Sequence, residues 1–271
     1  MLPGALRVAR EHRLAGQQPD NLCGAYWGAV LIRAFGGPDV DAEDVALLAG
    51  SVLPVGDPAS WVPPGAANRL GYRVRLPFAP DPALSGTSAP GLAWAVERAS
   101  RGRFCLVPLR AAWTVERVDA VLTLCFEHPA WEAGPVCNVR TGRLWGSRPA
   151  LAEVFAHLAG DGVGPQPPDW DCGHFVSVAG RVGAARAMVL VRDSYPQLGW
   201  DMHYLQPFEA LAGALERGDG REGGVMLFVR SRHADDVARE AKELGFEVAT
   251  WDNGTPWRAP EATMSEGGTR S

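Results

Sequence analysis

The stretch QQPDNLCGAYWGAVL, residues 17–31, places one cysteine, Cys23, between a polar turn and a long apolar run. The run is apolar on nearly every side, which is typical of a helix buried in the centre of a domain. Pro19, Asp20 and Asn21 favour a turn immediately before it. The sequence therefore predicts that Cys23 opens a central helix. Two interpretations of its thiol follow: a small buried hydrophobe, or a nucleophile at a helix N-terminus.

The composition indicates a folded protein with a substantial core. The chain has 271 residues, of which 46% are hydrophobic, and this length can bury a large apolar interior. Its net charge of -5 argues against binding to nucleic-acid phosphates, so we expect no nucleic-acid partner. No apolar run approaches the ~20 residues that cross a bilayer, and the N-terminus lacks the apolar core of a secretory signal. We therefore expect a cytoplasmic protein with no membrane partner.

The five cysteines do not form a metal-binding pattern. The sequence has no CxxC spacing and no close second pair of cysteine and histidine residues that would complete a zinc site. It also lacks a phosphate-binding glycine loop and the GxSxG and HExxH motifs. We therefore expect reduced thiols, no metal and no organic cofactor.

Segments rich in Pro and Gly divide the sequence into four parts. The first holds the Cys23 helix and a second helix capped by Asp41, the second alternates helices and strands, and the third is rich in strands. The expected fold class is α+β, with an N-terminal helical part, an α/β insertion, and a C-terminal antiparallel sheet that carries an α/β extension. The predicted boundaries are 1–78, 79–171, 172–252 and, for a disordered tail, 253–271.

Within these parts, three further elements are predicted from local patterns. The sequence favours a strand over 72–76, a hairpin over 135–146 and a last strand over 246–251. The three histidines His12, His128 and His203 are isolated among polar residues and are expected at the surface.

Two segments far from Cys23 supply candidate catalytic partners. His174 begins the apolar stretch HFVSVAG, Asp193 ends the stretch AMVLVRDSY, and the Gly-containing turn between them indicates a β-hairpin. Neighbouring strands can bring Asp193 beside one imidazole nitrogen, which leaves the other to face Cys23. The dipole of the helix would stabilise a thiolate, and Gln17, six residues before the cysteine, would direct its side-chain amide at an oxyanion.

Other interpretations of neighbouring residues stay open. Cys172 lies two residues before His174, so on a strand both side chains point to one face, where Cys172 is a neighbour, a redox partner or a rival nucleophile. Asp193 is alternatively a turn residue that bonds its own backbone. Trp170 and Trp200 flank the hairpin in sequence and are candidates to line a substrate groove.

The order Gln17, Cys23-Gly24, His174, Asp193 resembles that of the papain-like cysteine peptidases. It is more closely similar to the bacterial family that cleaves double-glycine leaders from bacteriocin precursors. The similar segments are DAEDVALLAG, LGYRV, GHFVSVAG, VLVRDSYPQLGW and LQPFEALAGAL. The resemblance implies a papain-like fold in which Cys23 is the nucleophile, His174 the base, Asp193 its orienter and Gln17 an oxyanion donor.

Four features depart from that family. The segment between its two halves, residues 77–171, is much longer here, and Asp193 is followed by Ser194 where the family usually has Pro. The transporter domains of the family are also missing from this sequence, and an extra α/β unit stands at 230–252.

The expected function is that of a soluble cysteine-dependent hydrolase, a peptidase or an amidase, acting on a peptide or other acyl substrate through an acyl-enzyme. The same residues would catalyse acyl transfer if an amine replaced water. A third alternative is a catalytically inactive papain-like fold that serves as a binding or scaffolding module for a partner protein.

Overall fold

The computed structural model describes residues 1–57, 60–183 and 185–257, which form an α+β fold around one six-stranded antiparallel sheet. The helices are α1 (Ala5–Ala15), α2 (Cys23–Ala34), α3 (Ala42–Ala49), α4 (Ala89–Ala99), α5 (Val115–Glu127), α6 (Leu151–Ala159), α7 (Phe208–Glu216) and α8 (Ala234–Glu243). The strands are β1 (Leu53–Pro54), β2 (Phe78–Ala79), β3 (Phe104–Leu109), β4 (Gly134–Arg140), β5 (Gly173–Val182), β6 (Met188–Arg192), β7 (His203–Pro207) and β8 (Gly224–Arg230). Every helix in these ranges is too short or too polar to cross a lipid bilayer.

Helix α2 is the buried central helix that the opening stretch predicts. Every one of its residues except Arg33 is buried. Trp27 is fully buried and donates its indole N–H to the carbonyl of Phe175 on β5, at 3.1 Å. Gly24 permits a close approach, because a Cβ there would lie 3.1 Å from the Phe175 ring. The N-terminal turn of α2 is thereby held against the beginning of β5.

The strand order of the large sheet is β3-β8-β4-β5-β6-β7. The predicted hairpin is confirmed, since β5 and β6 pair antiparallel with Ser177 opposite Arg192. His174 therefore stands near the beginning of β5, and Asp193 directly follows β6. The two residues lie at the same end of neighbouring strands.

Both faces of this sheet are covered, which explains why its strands read as nearly continuous apolar runs. Alternate residues of β8 point to opposite faces. Met226 and Phe228 pack in the core that includes α2, α3 and α4, whereas Leu227 and Val229 pack in the core that includes α5, α7 and α8.

The segment 79–171, predicted as an α/β insertion, shares a sheet with the C-terminal part of the chain. It contributes β3 and β4 to the same sheet as β5, and β4 pairs with both β5 and β8. β8 lies between β3 and β4, and the extra unit at 230–252 packs on the same sheet, because Val237 and Ala241 of α8 share a core with Val107 of β3 and Val229 of β8. Both β4 and β8 are buried along nearly all of their length. A central position lets their backbone groups pair on both sides, which a buried strand requires.

Several local predictions were wrong. Residues 72–76 form no strand; the short strand comes later, as β2, which pairs in parallel with β1. The predicted hairpin over 135–146 is the single strand β4, which ends in a 3₁₀ turn at Thr141–Arg143. Residues 246–251 form no strand and make one isolated β-bridge, between Glu247 and Arg110. The backbones of these two residues exchange hydrogen bonds, and their side chains form a bidentate ion pair.

The predicted tail divides into two stretches. Asn253 and Thr255 are buried, and they bond to the carbonyls of Thr87 and Ser85 respectively. Residues 253–257 are thus part of the packed structure, whereas 258–271 lie outside the described residues.

Candidate active site

Cys23 is the first residue of α2 and is 9% exposed. Its Sγ accepts the backbone N–H of Phe175 at 3.4 Å. No side chain caps this end of the helix, so the first-turn amides and the helix dipole act on the sulfur without competition from a capping carboxylate or hydroxyl. Asn21 turns the chain into the helix in a left-handed conformation, with φ 63°, which Asn tolerates better than most residues.

His174 and Asp193 form a buried hydrogen-bonded pair. The His174 Nε2 lies 3.0 Å from Asp193 Oδ1, and the two side chains are 2% and 0% exposed. The Asp193 carboxylate also accepts the backbone N–H groups of Ser194 and Tyr195 and the hydroxyl of Tyr204. Asp193 therefore bonds its own turn and holds the imidazole at the same time, so its two interpretations from sequence are compatible.

The electrostatics favour a charged imidazole. Burial opposes the charge, but the Asp193 carboxylate and the negative charge and hydrogen bond of Cys23 outweigh it and raise the pKa of His174 to about 10. Burial would raise the pKa of Asp193, yet the His174 charge and the hydrogen bonds from His174 and Tyr204 lower it below its ordinary value. Because Nε2 is occupied by Asp193, Nδ1 is the nitrogen left to face Cys23.

Cys172 lies in the wall of the same pocket but in a different chemical state. Burial and the negative charge of Cys23 raise the pKa of its thiol. Its Sγ lies 3.3 Å from the Gly173 carbonyl oxygen, to which the S–H donates. Since the thiolate is the nucleophilic form, a neutral thiol of this kind makes Cys172 a neighbour of the site and a poor rival to Cys23.

The predicted oxyanion donor Gln17 is not at this site. Its amide donates to the Ala67 carbonyl at 2.6 Å and it lines a separate cavity with Pro19 and Tyr26. The next residue, Gln18, is 1% exposed and lines the Cys23 pocket. The glutamine at the pocket is therefore five positions before the cysteine, and not six.

Gln18 is held from two sides. Its Nε2 donates to the Tyr195 hydroxyl at 3.1 Å, and its Oε1 accepts the hydroxyl of Ser194. An amide nitrogen carries two hydrogens, so one remains after the bond to Tyr195.

The pocket has a volume of about 390 Å³ and includes Cys23 and His174 in its wall. Trp170 lines it, with its ring edge-on to the His174 ring at 5.1 Å. Trp200 was wrongly assigned to a groove: it is 46% exposed and forms a backbone bridge with His203. The tight turn between these two residues directs the indole toward solvent. Among the described residues, no group of three or more potential ligands could hold a metal ion.

His12 was wrongly expected at the surface. It is 1% exposed, and its Nε2–H donates to the backbone carbonyl of Asp193 at 2.6 Å. Burial lowers its pKa to about 4, so the ring is a neutral donor that fixes the position of Asp193. The apolar period of α1 was the available signal, since Ala5, Val8 and His12 form its buried face.

The sequence profile of one protein family matches residues 2–252. The chain belongs to the family of unknown function DUF6885. The matched range includes Cys23, His174, Asp193 and Gln18, so every member of the arrangement described above lies in the part that defines the family. No curated protein and no solved structure matches the chain.

We expect His174 to remain protonated at pH values between its ordinary pKa of 6.5 and its raised value of about 10. In the variant Asp193→Asn, the midpoint should fall by about one unit or more, because a close opposite charge typically shifts a pKa by 1–3 units. NMR titration of the His174 ring nitrogens measures the midpoint in the wild type and in the variant.

The matched control is Asp119→Asn, which removes the exposed partner of Arg181 and should leave the His174 midpoint unchanged. A neutral His174 ring throughout this pH range in the wild type would contradict the electrostatic account.

Proposed function

We propose that the protein is a cysteine-dependent hydrolase that cleaves an amide or ester bond of a peptide or other acyl substrate through an acyl-enzyme. The observation that carries the proposal is that the buried, hydrogen-bonded pair of His174 and Asp193 and the Cys23 sulfur at a helix N-terminus meet at one pocket, whose wall contains both Cys23 and His174. A thiol, a base in hydrogen-bond reach and a third group that orients the base are the components of an activated nucleophile.

Acylation would begin with attack of the Cys23 thiolate on the substrate carbonyl carbon. A sulfur–carbon bond forms and the carbonyl electron pair moves to oxygen. The backbone N–H of Cys23 belongs to the first helical turn, which has no intrahelical acceptor. Together with the remaining amide hydrogen of Gln18, it would bind the oxyanion.

Collapse of this intermediate would break the bond to the leaving group. The His174 imidazolium gives its proton to the departing nitrogen or oxygen, and the acyl group stays on Cys23 as a thioester. A water molecule then loses a proton to His174 and attacks the thioester, and the carbon–sulfur bond breaks to return the thiolate. Asp193 would keep Nε2 protonated and the ring in one orientation throughout.

The arrangement also supports a papain-like organisation. A cysteine at the N-terminus of a buried helix packs against an antiparallel sheet that supplies the histidine and aspartate from neighbouring strands. Ser194 stands where the leader peptidases usually have Pro, and here it has a function that Pro could not have. Its N–H donates to Asp193 and its hydroxyl donates to Gln18, which ties the orienter to the proposed oxyanion donor.

The first test is the reactivity of the thiol. Iodoacetamide should alkylate Cys23 fastest in the wild type and roughly 10²-fold more slowly in His174→Ala, because the variant lacks the base that holds the thiolate. Peptide mapping by mass spectrometry gives the rate at each cysteine. Cys23→Ala should abolish the fast phase, and Cys172→Ala should leave it intact.

Because the alanine variants could fail to fold, the milder variant Asp193→Asn is measured beside them. It should slow alkylation of Cys23 less than His174→Ala does. Equal rates in the wild type and His174→Ala, or a fast phase located at Cys172, would overturn the proposal.

A second test separates the oxyanion donor from the nucleophile. Gln18→Ala should slow acylation of Cys23 by p-nitrophenyl acetate roughly 10²-fold, the usual effect of removing one oxyanion donor. It should leave alkylation by iodoacetamide nearly unchanged, because alkylation at a methylene carbon develops no oxyanion. Gln17→Ala is the matched control and should alter neither rate. If Gln17→Ala slows acylation and Gln18→Ala does not, the assignment is wrong.

A further inference from the structure

One wall of the pocket carries a buried acceptor that the proposed mechanism does not use. Thr87 borders the start of α2, where a Cβ on Gly24 would lie 3.2 Å from the Thr87 Cβ. Asn253 donates its amide to the Thr87 carbonyl at 2.9 Å and is 8% exposed. Asn253 lines the pocket, and its Oδ1 is buried and has no hydrogen-bond partner among the described residues. A buried amide oxygen without a partner is destabilising, so a ligand N–H would stabilise it.

Two arginines in the same pocket are already neutralised. Arg217 has a side chain that is 1% exposed and donates to both carboxylate oxygens of Asp219, at 3.1 and 2.8 Å. Arg140 pairs with Asp171 and, at 3.5 Å, with Asp219. The positive charges of these two guanidinium groups are therefore neutralised by the two carboxylates.

Arg221 is a third cation in this wall, and its guanidinium has no carboxylate partner among the described residues. Its guanidinium lies over Gly254, where a Cβ would come within 2.5 Å of Nε, so it is beside the residue that directly follows Asn253. It is half-buried and lines the pocket. In the described part of the chain it forms no ion pair; only its backbone N–H reaches Asp219. A guanidinium in this setting is suited to bind a carboxylate with two parallel hydrogen bonds.

We propose that the pocket selects acyl substrates that carry a free carboxylate close to an amide N–H, with Arg221 binding the carboxylate and Asn253 Oδ1 accepting the N–H. This inference rests on the proposed function, since it names the substrate class of the Cys23 site. The carboxylate is that of a terminal amino acid or that of an acidic side chain; both present the same group beside a peptide N–H.

Protection of Cys23 from iodoacetamide tests the inference and separates the two sources. Two ligand pairs differ only in a carboxylate: N-acetylglycine against N-acetylglycinamide for a terminal carboxylate, and the α-amides of N-acetylaspartate and N-acetylasparagine for a side chain. The carboxylate of at least one pair should protect at a concentration roughly fivefold lower than its amide. The pair with the larger ratio identifies the source.

Arg221→Gln should bring that ratio close to one, whereas Arg221→Lys should retain part of it. Arg10→Gln is the matched control, because Arg10 is exposed on α1, and it should keep the full ratio. Equal protection by carboxylate and amide in both pairs, or a ratio that Arg221→Gln leaves unchanged, would overturn the inference.

The unprotected reaction reports separately on the proposed function. Fast, His174-dependent alkylation without any carboxylate preference would remove the inference and leave the hydrolase intact. Slow alkylation that does not depend on His174 would remove the hydrolase, whatever the ligands do.

Discussion

The hydrogen bond between His174 and Asp193 is the interaction on which the rest of the site depends. A fully buried carboxylate is stable only when several donors surround it, and Asp193 has two backbone amides, a tyrosine hydroxyl and an imidazole. Those donors come from β5, β7 and the turn after β6, while the neutral His12 of α1 holds the Asp193 carbonyl. Loss of that carboxylate would leave a charged imidazole buried without its partner, so the pair links the stability of this end of the sheet to its chemistry.

The second constraint is the contact between α2 and the sheet. Trp27 and Gly24 bring the helix onto Phe175, and the backbone N–H of the same residue reaches the Cys23 sulfur. One strand residue, Phe175, therefore fixes the position of the helix on the sheet and donates a hydrogen bond to the Cys23 sulfur. Another part of the pocket wall comes from the loop at Ser85 to Thr87 and from the segment at Asn253 to Thr255, which bond to each other.

Local patterns were sufficient for the elements that carry the nucleophile, base and orienter. The apolar run after Cys23 and the two alternating stretches joined by a turn predict α2, β5 and β6, because each pattern depends on near neighbours in sequence. Sheet order was not predictable this way: β8 enters between β3 and β4 through contacts over about a hundred residues, which leave no local signal. The choice between Gln17 and Gln18 depended on contacts far along the chain, with Ala67 for the first and with Ser194 and Tyr195 for the second. The burial of Asn253 likewise depended on contacts with a distant loop.

Direct observation of the covalent intermediate tests the central claim, that Cys23 acts as a nucleophile served by His174 and Asp193. Intact-protein mass spectrometry after brief exposure to p-nitrophenyl acetate, followed by peptide mapping, measures both the position and the lifetime of an acetyl group. The account predicts a single acetyl group on Cys23 that water removes quickly in the wild type and much more slowly when Asp193 is replaced by Asn. An acetyl group on another residue, or one on Cys23 that persists equally in both proteins, would contradict it.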